Sequence, residues 1–320
     1  MNFGIVIRVV GFLLMVEAAF MFPSLLIAIY TDGEDKIPFL IAILISAGLG
    51  FILSRKENYK NQIGAKDGLA IVSLGWVMAA IIGAIPLYLS DSTPTYIDAF
   101  FEIVSGLTTT GATVISDVES LPQGVIFWRS FTHWIGGMGI LVFTVALLPA
   151  LGIGGFQIYK AESPGPVAGK IAPRIKDTAK ILYKTYTIIT LCLVIFLLTG
   201  KLSIFESLIY TFGTVGTGGY SNKNNSLAFY DSSYIHWVIG IFMVLSGINF
   251  SLYYSLYKKR FKEVFKDGEL RLYLGMIFGA TLAIAINLLL TSYSDFGVAI
   301  RDSFFQVSSL MTTTGFSTVD

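Results

Sequence analysis

Cysteine is almost missing: the 320 residues hold one, Cys192, inside an apolar run. A lone thiol cannot close an internal disulfide, and its expected role is that of a small core residue. Histidine is nearly as scarce. His133 and His236 are far apart and outside any metal-ligand spacing. Both read as structural polar groups in the outer halves of helices. Charge is thin too, with Asp, Glu, Lys and Arg at 13% against about 25% in a soluble domain. The net charge of +1 gives no electrostatic footprint for nucleic acid. A phosphate loop, a nucleophile elbow and an acid–histidine pair are all lacking, so nothing in the sequence points to an enzyme. What is abundant is apolar side chain, at 54%. The first apolar stretch, 5–30, is too long for the core of a signal peptide and no cleavage site follows it. It reads as a retained membrane helix.

A spanning helix needs about 20 mostly apolar residues. Seven stretches qualify: 5–30, 37–53, 68–89, 124–150, 178–199, 232–256 and 270–291. Between them lie apolar pieces too short to cross, at 95–108, 203–213 and 296–311. Each short piece runs into a stretch rich in threonine and glycine. Irregular backbone at that depth cannot face lipid, so it must be buried in protein or line a watery path. The loops set the orientation. The 31–36 loop is acidic. The 54–67 loop carries Arg55, Lys56, Lys60 and Lys66; the 151–177 loop carries Lys160, Lys170, Arg174 and Lys176. The 257–269 loop carries Lys258, Lys259, Arg260, Lys262 and Lys266. Basic residues gather on the cytoplasmic side. These loops and the N-terminus are therefore expected inside, and every short piece outside. The lysines of 160–176 and 258–266 also offer a docking surface for a cytoplasmic partner.

The short pieces repeat. "DAFFEIVSGLTTTGAT" from Asp98, "ESLIYTFGTVGTGGYS" from Glu206 and "DSFFQVSSLMTTTGFS" from Asp302 each place a glycine thirteen residues after an acid: Gly111, Gly219 and Gly315. In the middle copy Gly216 is a rival for the equivalent position. The repeating unit is spanning helix, short helix, glycine loop, spanning helix. Each full unit starts and ends inside, so the copies are parallel. A short helix entering from outside carries about half a negative charge at its inner, C-terminal end, which favours a cation. The acid at its start can cap free N–H groups, so Asp98, Glu206 and Asp302 are expected to position the short helices, with a direct role at an outer ion-entry site as the alternative. A glycine beyond the helix permits backbone angles that aim carbonyls at one axis. Rings of such carbonyls replace the hydration shell of potassium in selective filters. The filter is thus read at Thr109, Thr110 and Gly111, at Thr217, Gly218 and Gly219, and at Thr313, Thr314 and Gly315.

The chain resembles the TrkH branch of the Trk/Ktr/HKT superfamily of potassium uptake proteins. "LTTTGAT" (107–113), "FWRSFTHWIGGMGI" (127–140), "AESPGP" (161–166), "KIAPRIKDTAK" (170–180), "TVGTGGYS" (214–221), "GINFSLYY" (247–254) and "MTTTGFST" (311–318) carry the likeness. The resemblance implies an all-α integral membrane protein of parallel repeats around a pseudo-fourfold pore. An N-terminal two-helix extension would cover 1–67, with repeats at 68–176, 177–269 and 270–320, the last incomplete. It implies potassium uptake across the bacterial cytoplasmic (inner) membrane, driven by the membrane potential, with K+ as transported ion and no organic cofactor. Homodimers and a cytoplasmic nucleotide-binding regulatory subunit of the TrkA type are implied as partners. Four filter strands are implied and three are present, so the chain is expected to be the front of a longer protein, with the gating loop in the absent part. Alternatives are a Na+- or H+-coupled carrier of the same fold and a non-conducting membrane relative.

Other residues read more plainly. Glu17 lies inside the first span, where helix pairing, a contact near Arg8 or an ion role are all open. Arg129 is expected near an outer helix end, snorkelling or paired with an acid. Gly136, Gly137 and Gly139 suit close helix packing. Asn249 could cap a broken backbone turn.

Overall fold

The computed structural model describes residues 2–55, 65–139 and 175–319, and every regular element among them is helical. Lys56, Lys60, the second half of the expected span 124–150, and the loop carrying "AESPGP", Lys160, Lys170 and Arg174 lie outside the described residues. The contacts divide the chain into two compact units: Met1–Thr108 with Ala112–Tyr183, and Thr109–Gly111 with Lys184–Asp320.

In the first unit, α1 (Phe3–Tyr30) and α2 (Lys36–Ser54) form a hairpin. Their axes approach closely because a glycine stands on each side. A side chain on Gly11 would collide with Gly50 O and Ser54 N; one on Gly50 would collide with Gly11 O and Met15. Small residues at such a crossing let backbones touch where no hydrophobic drive exists between lipid-solvated helices. Ser46 adds a hydrogen bond to Leu14 O at 2.8 Å. The next span is bent. α3 (Ala65–Gly83) stops one residue before α4 (Ile85–Leu89), because Pro86 lacks the N–H that would continue the ladder. Trp128 Nε1 donates to Gly83 O at 3.0 Å and Tyr96 Oη to Ile81 O at 2.5 Å, so carbonyls at the bend have partners. α5 (Tyr96–Leu107) is short, and α6 (Gln123–Met138) follows. The N-cap of α6, Pro122, has no capping side chain. Asp35, from the α1–α2 turn, supplies the acceptor instead, taking Val125 N–H at 3.0 Å. Its burial raises the Asp35 carboxyl above the usual range, against the pull of that N–H.

The second unit takes up most of α7 (Ile175–Thr199), then α8 (Ile204–Val215), a 3₁₀ turn at Ser226–Phe229 and α9 (Ser233–Ser246). α10 (Phe250–Tyr257), α11 (Phe261–Lys266), α12 (Gly268–Thr291) and α13 (Phe296–Met311) complete it. The stretch 232–256 is therefore not one span: the helix breaks at 247–249. Tyr253 Oη donates to Leu245 O at 2.5 Å and Tyr273 Oη to Val244 O at 3.1 Å, taking over carbonyls that the stopped ladder releases. Gly247 sits where a side chain would strike Tyr273 Oη and Thr312.

Among the described residues, five helical segments are long and apolar enough to cross a membrane: Phe3–Tyr30, Lys36–Ser54, Lys66–Leu89, Ile181–Thr199 and Gly268–Thr291. The burial pattern is that of a lipid-solvated protein. Leu26, Ile29, Leu44, Ile52, Ile195 and Phe278 are uncovered, while Ser130, Thr132, Ser207, Thr211 and Ser303 are buried. Cys192 corrects one expectation, since it is exposed rather than in the core. In a membrane helix an apolar neighbourhood in sequence does not predict burial by protein.

Replacing Gly11 by Leu should overpack the α1–α2 crossing and cost about 1–3 kcal/mol. A lower thermal midpoint in detergent, read by intrinsic fluorescence, is the expected outcome; Ser46→Ala should lower it less.

Candidate functional site

Three short helices deliver three strands. α5 ends at Thr108, α8 at Gly216 and α13 at Thr312, and each chain then enters its threonine–glycine stretch. The backbone that follows is the same three times over. Thr109, Thr217 and Thr313 have φ of 55°, 54° and 57°; Gly111, Gly219 and Gly315 have φ of 74°, 77° and 85°. A β-branched residue in the left-handed region is an outlier, costing of order 1–3 kcal/mol unless the surroundings impose it. Finding it at three equivalent positions means that the fold imposes it. The same geometry decides the equivalence in the middle copy: Gly219 is left-handed, whereas Gly216 is ordinary right-handed helix at φ −74°.

The strands lie side by side within the second unit, to which Thr109–Gly111 belong. A side chain on Gly111 would run into Gly218 O, and one on Gly219 into Thr314 O. Each of these glycines thus abuts the carbonyl of the next strand's preceding residue. The backbone returns match as well. Gly218 N–H donates to Gly213 O at 2.8 Å and Thr314 N–H to Ser309 O at 2.9 Å.

Side-chain ties hold the strands to their helices. Ser105 Oγ donates to Ala112 O at 2.6 Å, and Ser309 Oγ to Phe316 O at 2.7 Å. The middle copy has Gly213 at this place, packed directly on Tyr220 O and Phe316. A second tie starts one turn beyond the acid. Glu102 accepts from Thr113 Oγ1 at 2.8 Å and from Val114 N–H at 3.1 Å. Tyr210, its counterpart, pairs with Ser221 at 3.1 Å. Glu102 also holds Arg129 of α6, through Nε at 2.8 Å and through Nη2, and both side chains are buried. Two charges in this setting are stable only when paired and hydrogen-bonded, as Glu102 is by Arg129, Thr113 and Val114. Arg129 is therefore paired with an acid rather than snorkelling. The third strand is clamped from outside: Leu227 N–H and Ala228 N–H both donate to Ser317 O, at 3.0 and 3.1 Å. His236 Nε2 lies 3.2 Å from Leu227 O and so is structural.

The acids fall at two kinds of place. Asp98 is in the first turn of α5, where its N–H bonds Thr95 Oγ1 at 3.2 Å. Glu206 forms a full capping box with Ser203 on α8 and accepts from Tyr230 Oη at 2.7 Å. Burial, then the neighbouring Tyr210 and the bond to Glu206, keeps the Tyr230 phenol protonated well above its usual range. Asp302 differs. It is not at the start of α13, which Asp295 caps by accepting Val298 N–H at 2.9 Å. Asp302 lies further along, buried, accepting from Arg301 Nε at 2.7 Å and Tyr293 Oη at 3.1 Å. Arg301 reaches on to Ser233 Oγ at 2.8 Å, tying α13 to the start of α9. The extra turn 296–299 moves the helix start away from the acid that aligns with Asp98 and Glu206.

Glu102, Asp35 and Arg301 were missed by reading the sequence for repeats. Glu102 had one visible signal, an acid in the middle of a short apolar helix. Gly136 is at a close contact, against Leu107 O, while Gly139 ends α6 at φ 66°. Glu17 is buried beside Gly83.

The profile of the TrkH family, described as cation transport protein, matches residues 35–320. The chain is 38% identical over 328 residues to the Trk system potassium uptake protein TrkH of Escherichia coli K12, covering 99% of this chain and 67% of that one. It is 35% identical to the protein of the same name from Halomonas elongata, over 100% of this chain and 67% of the relative. The crystal structure of the potassium transporter TrkH from Vibrio parahaemolyticus superposes with a TM-score of 0.85 at 32% identity, covering 100% of this chain and 66% of that one. The chain thus spans about two thirds of the length of these relatives.

Removing one partner of the buried pair should be far worse than removing both. Glu102→Ala should destabilise by about 3–5 kcal/mol, because Arg129 is left buried and uncompensated. Thermal unfolding in detergent should show that Glu102→Leu with Arg129→Leu recovers part of the loss. A single variant as stable as wild type would mean that the pair does not hold strand and helices together.

Proposed function

The chain belongs to the TrkH family of cation transport proteins, and from that premise we propose that it carries K+ inward through the strands 109–111, 217–219 and 313–315. The observation that carries the reading is the repeated left-handed threonine and glycine, with the glycine of one strand set against a carbonyl of the next. A potassium ion leaving water needs several oxygen ligands at once. Neutral carbonyls supply them without the deep trap that a carboxylate would create, so the ion can move on. The C-terminal ends of α8 and α13 add a favourable potential for a cation where their strands begin. Uptake then needs no bound energy source, since the membrane potential supplies about 2.3 kcal/mol per charge per 100 mV.

The same proposal includes the orientation, with the N-terminus and the basic residues Arg55, Lys66 and Lys258–Lys266 on the cytoplasmic side of the inner membrane. It includes the division at 1–67, 68–176, 177–269 and 270–320, and the ligand roles of Thr109, Thr110, Gly111, Thr217, Gly218, Gly219, Thr313, Thr314 and Gly315. The homodimer and the nucleotide-binding cytoplasmic subunit rest on the resemblance and belong to it as well.

Gly111→Ser and Gly219→Ser test the reading, because at both places the added atoms enter the space of a neighbouring carbonyl. Rb+ and Na+ uptake should be measured in cells lacking their own potassium uptake. Each variant should lose K+ over Na+ preference by about tenfold or more, equivalent to roughly 1.4 kcal/mol. Wild-type selectivity in either variant would remove that strand from the filter.

A further inference from the structure

A lysine stands where the second strand leaves its glycine. Ile115, Lys223 and Val319 lie four residues beyond Gly111, Gly219 and Gly315. At the first two the same turn is drawn: Ile115 N–H donates to Thr113 Oγ1 at 3.1 Å, and Lys223 N–H to Ser221 Oγ at 2.9 Å. Apolar residues at the two equivalent positions show that a charge is not needed to make this turn. The charge is also held. Lys223 Nζ lies 4.1 Å from the centre of the Phe229 ring. Phe229 packs edge-on against Tyr230 at 5.2 Å, and Tyr230 is bonded to Glu206. The ammonium therefore rests on a ring face, half-buried, instead of sweeping through solvent. Four residues of chain reach at most about 14 Å, and the turn shortens this. The backbone of Lys223 is thus at most about 14 Å from Gly219, a separation across which a charge is felt at low ionic strength and largely screened at physiological salt.

A fixed positive charge at the mouth of a cation path repels what the path carries. That repulsion scales with the charge of the ion, so a divalent cation feels twice the free-energy penalty of K+. We propose that Lys223 is a specificity-determining residue whose ammonium, seated on Phe229, disfavours Mg2+ and Ca2+ over K+ at the exit of the second strand. The inference rests on the potassium-uptake reading above. Glu206 partly offsets that repulsion and sets the direction of the change when the lysine is neutralised. Lys223 and Glu206 are close enough for their charges to interact. Neutralising the lysine removes a repulsion and also leaves that carboxylate unbalanced, and both changes favour a divalent ion.

The test is Rb+ uptake by the native gene product, at low ionic strength, against rising external Mg2+. Lys223→Gln should lower the Mg2+ concentration for half-inhibition roughly two- to fivefold. Lys223→Arg should match wild type, and Phe229→Ala, which releases the ammonium, should fall between. Raising N-methylglucamine chloride to about 0.15 M should shrink the difference. Normal Rb+ uptake with unchanged Mg2+ sensitivity in Lys223→Gln overturns the inference and leaves the uptake reading standing. An equal loss of Rb+ uptake in the Gln and Arg variants, with Mg2+ sensitivity unmoved, marks a structural lysine and also overturns it. A wild-type protein that takes up no Rb+ overturns both.

Discussion

A helix that stops inside a membrane leaves its last carbonyls without partners, and the irregular backbone after it adds more polar groups that lipid cannot satisfy. Most of what is distinctive in this chain answers that constraint. Thr108 and Thr312, just past α5 and α13, turn their hydroxyls back to Val104 O and Ser308 O, each at 2.7 Å. Ser105 and Ser309 reach forward to the strand, and Glu102 and Tyr210 hold the hydroxyl two residues past the glycine. Polar side chains are buried here because the backbone they serve is buried.

The three copies meet the same demand with different chemistry. In the first, a carboxylate does the holding and an arginine on α6 neutralises it. In the second, a tyrosine takes the place of that carboxylate, and Gly213 replaces the serine by letting the strand lie directly on the helix. In the third, the 3₁₀ turn 226–229 grips Ser317 O through two N–H groups. What stays constant is the backbone, with its threonine and glycine in the left-handed region. This is the pattern expected if the ligands are main-chain carbonyls. Selection then acts on where the strand runs, and side chains are free to vary as long as they keep it there.

Much of this was legible in the sequence. Five of the seven expected spans follow from apolar length, the short helices from apolar runs that end in threonine and glycine, and the strands from the thirteen-residue spacing. What could not be read was partnership across long separations. The break at 247–249 interrupts an apolar run with no proline to mark it; it is satisfied by Tyr253 and by Tyr273, the latter 29 residues away from the carbonyl it serves. Asp302 aligns with Asp98 and Glu206 by spacing, yet Asp295 starts the helix, because alignment fixes the register of the strand and not the first turn. Asp35 caps a helix 90 residues on, and nothing local in either segment announces it. Cys192 was misplaced for a different reason: in lipid, apolarity is the property of the outside.

The break between α9 and α10 shows the same constraint working away from the strands. Unwound backbone at this depth is costly unless it is sealed by protein, and the seal here comes from two tyrosine hydroxyls, one on α10 and one on α12. Gly247 lets Tyr273 and Thr312 close on the break, so α12 and the end of α13 meet at one point. Thr312 is also the residue that ends the third short helix and bonds Thr314 at 2.7 Å. A shift of α10 or α12 at this break would therefore be felt one hydrogen bond away from the third strand. An ordinary spanning helix at 232–256 would have offered no such connection. The sealing of one irregular turn is thereby joined, through shared side chains, to the position of another.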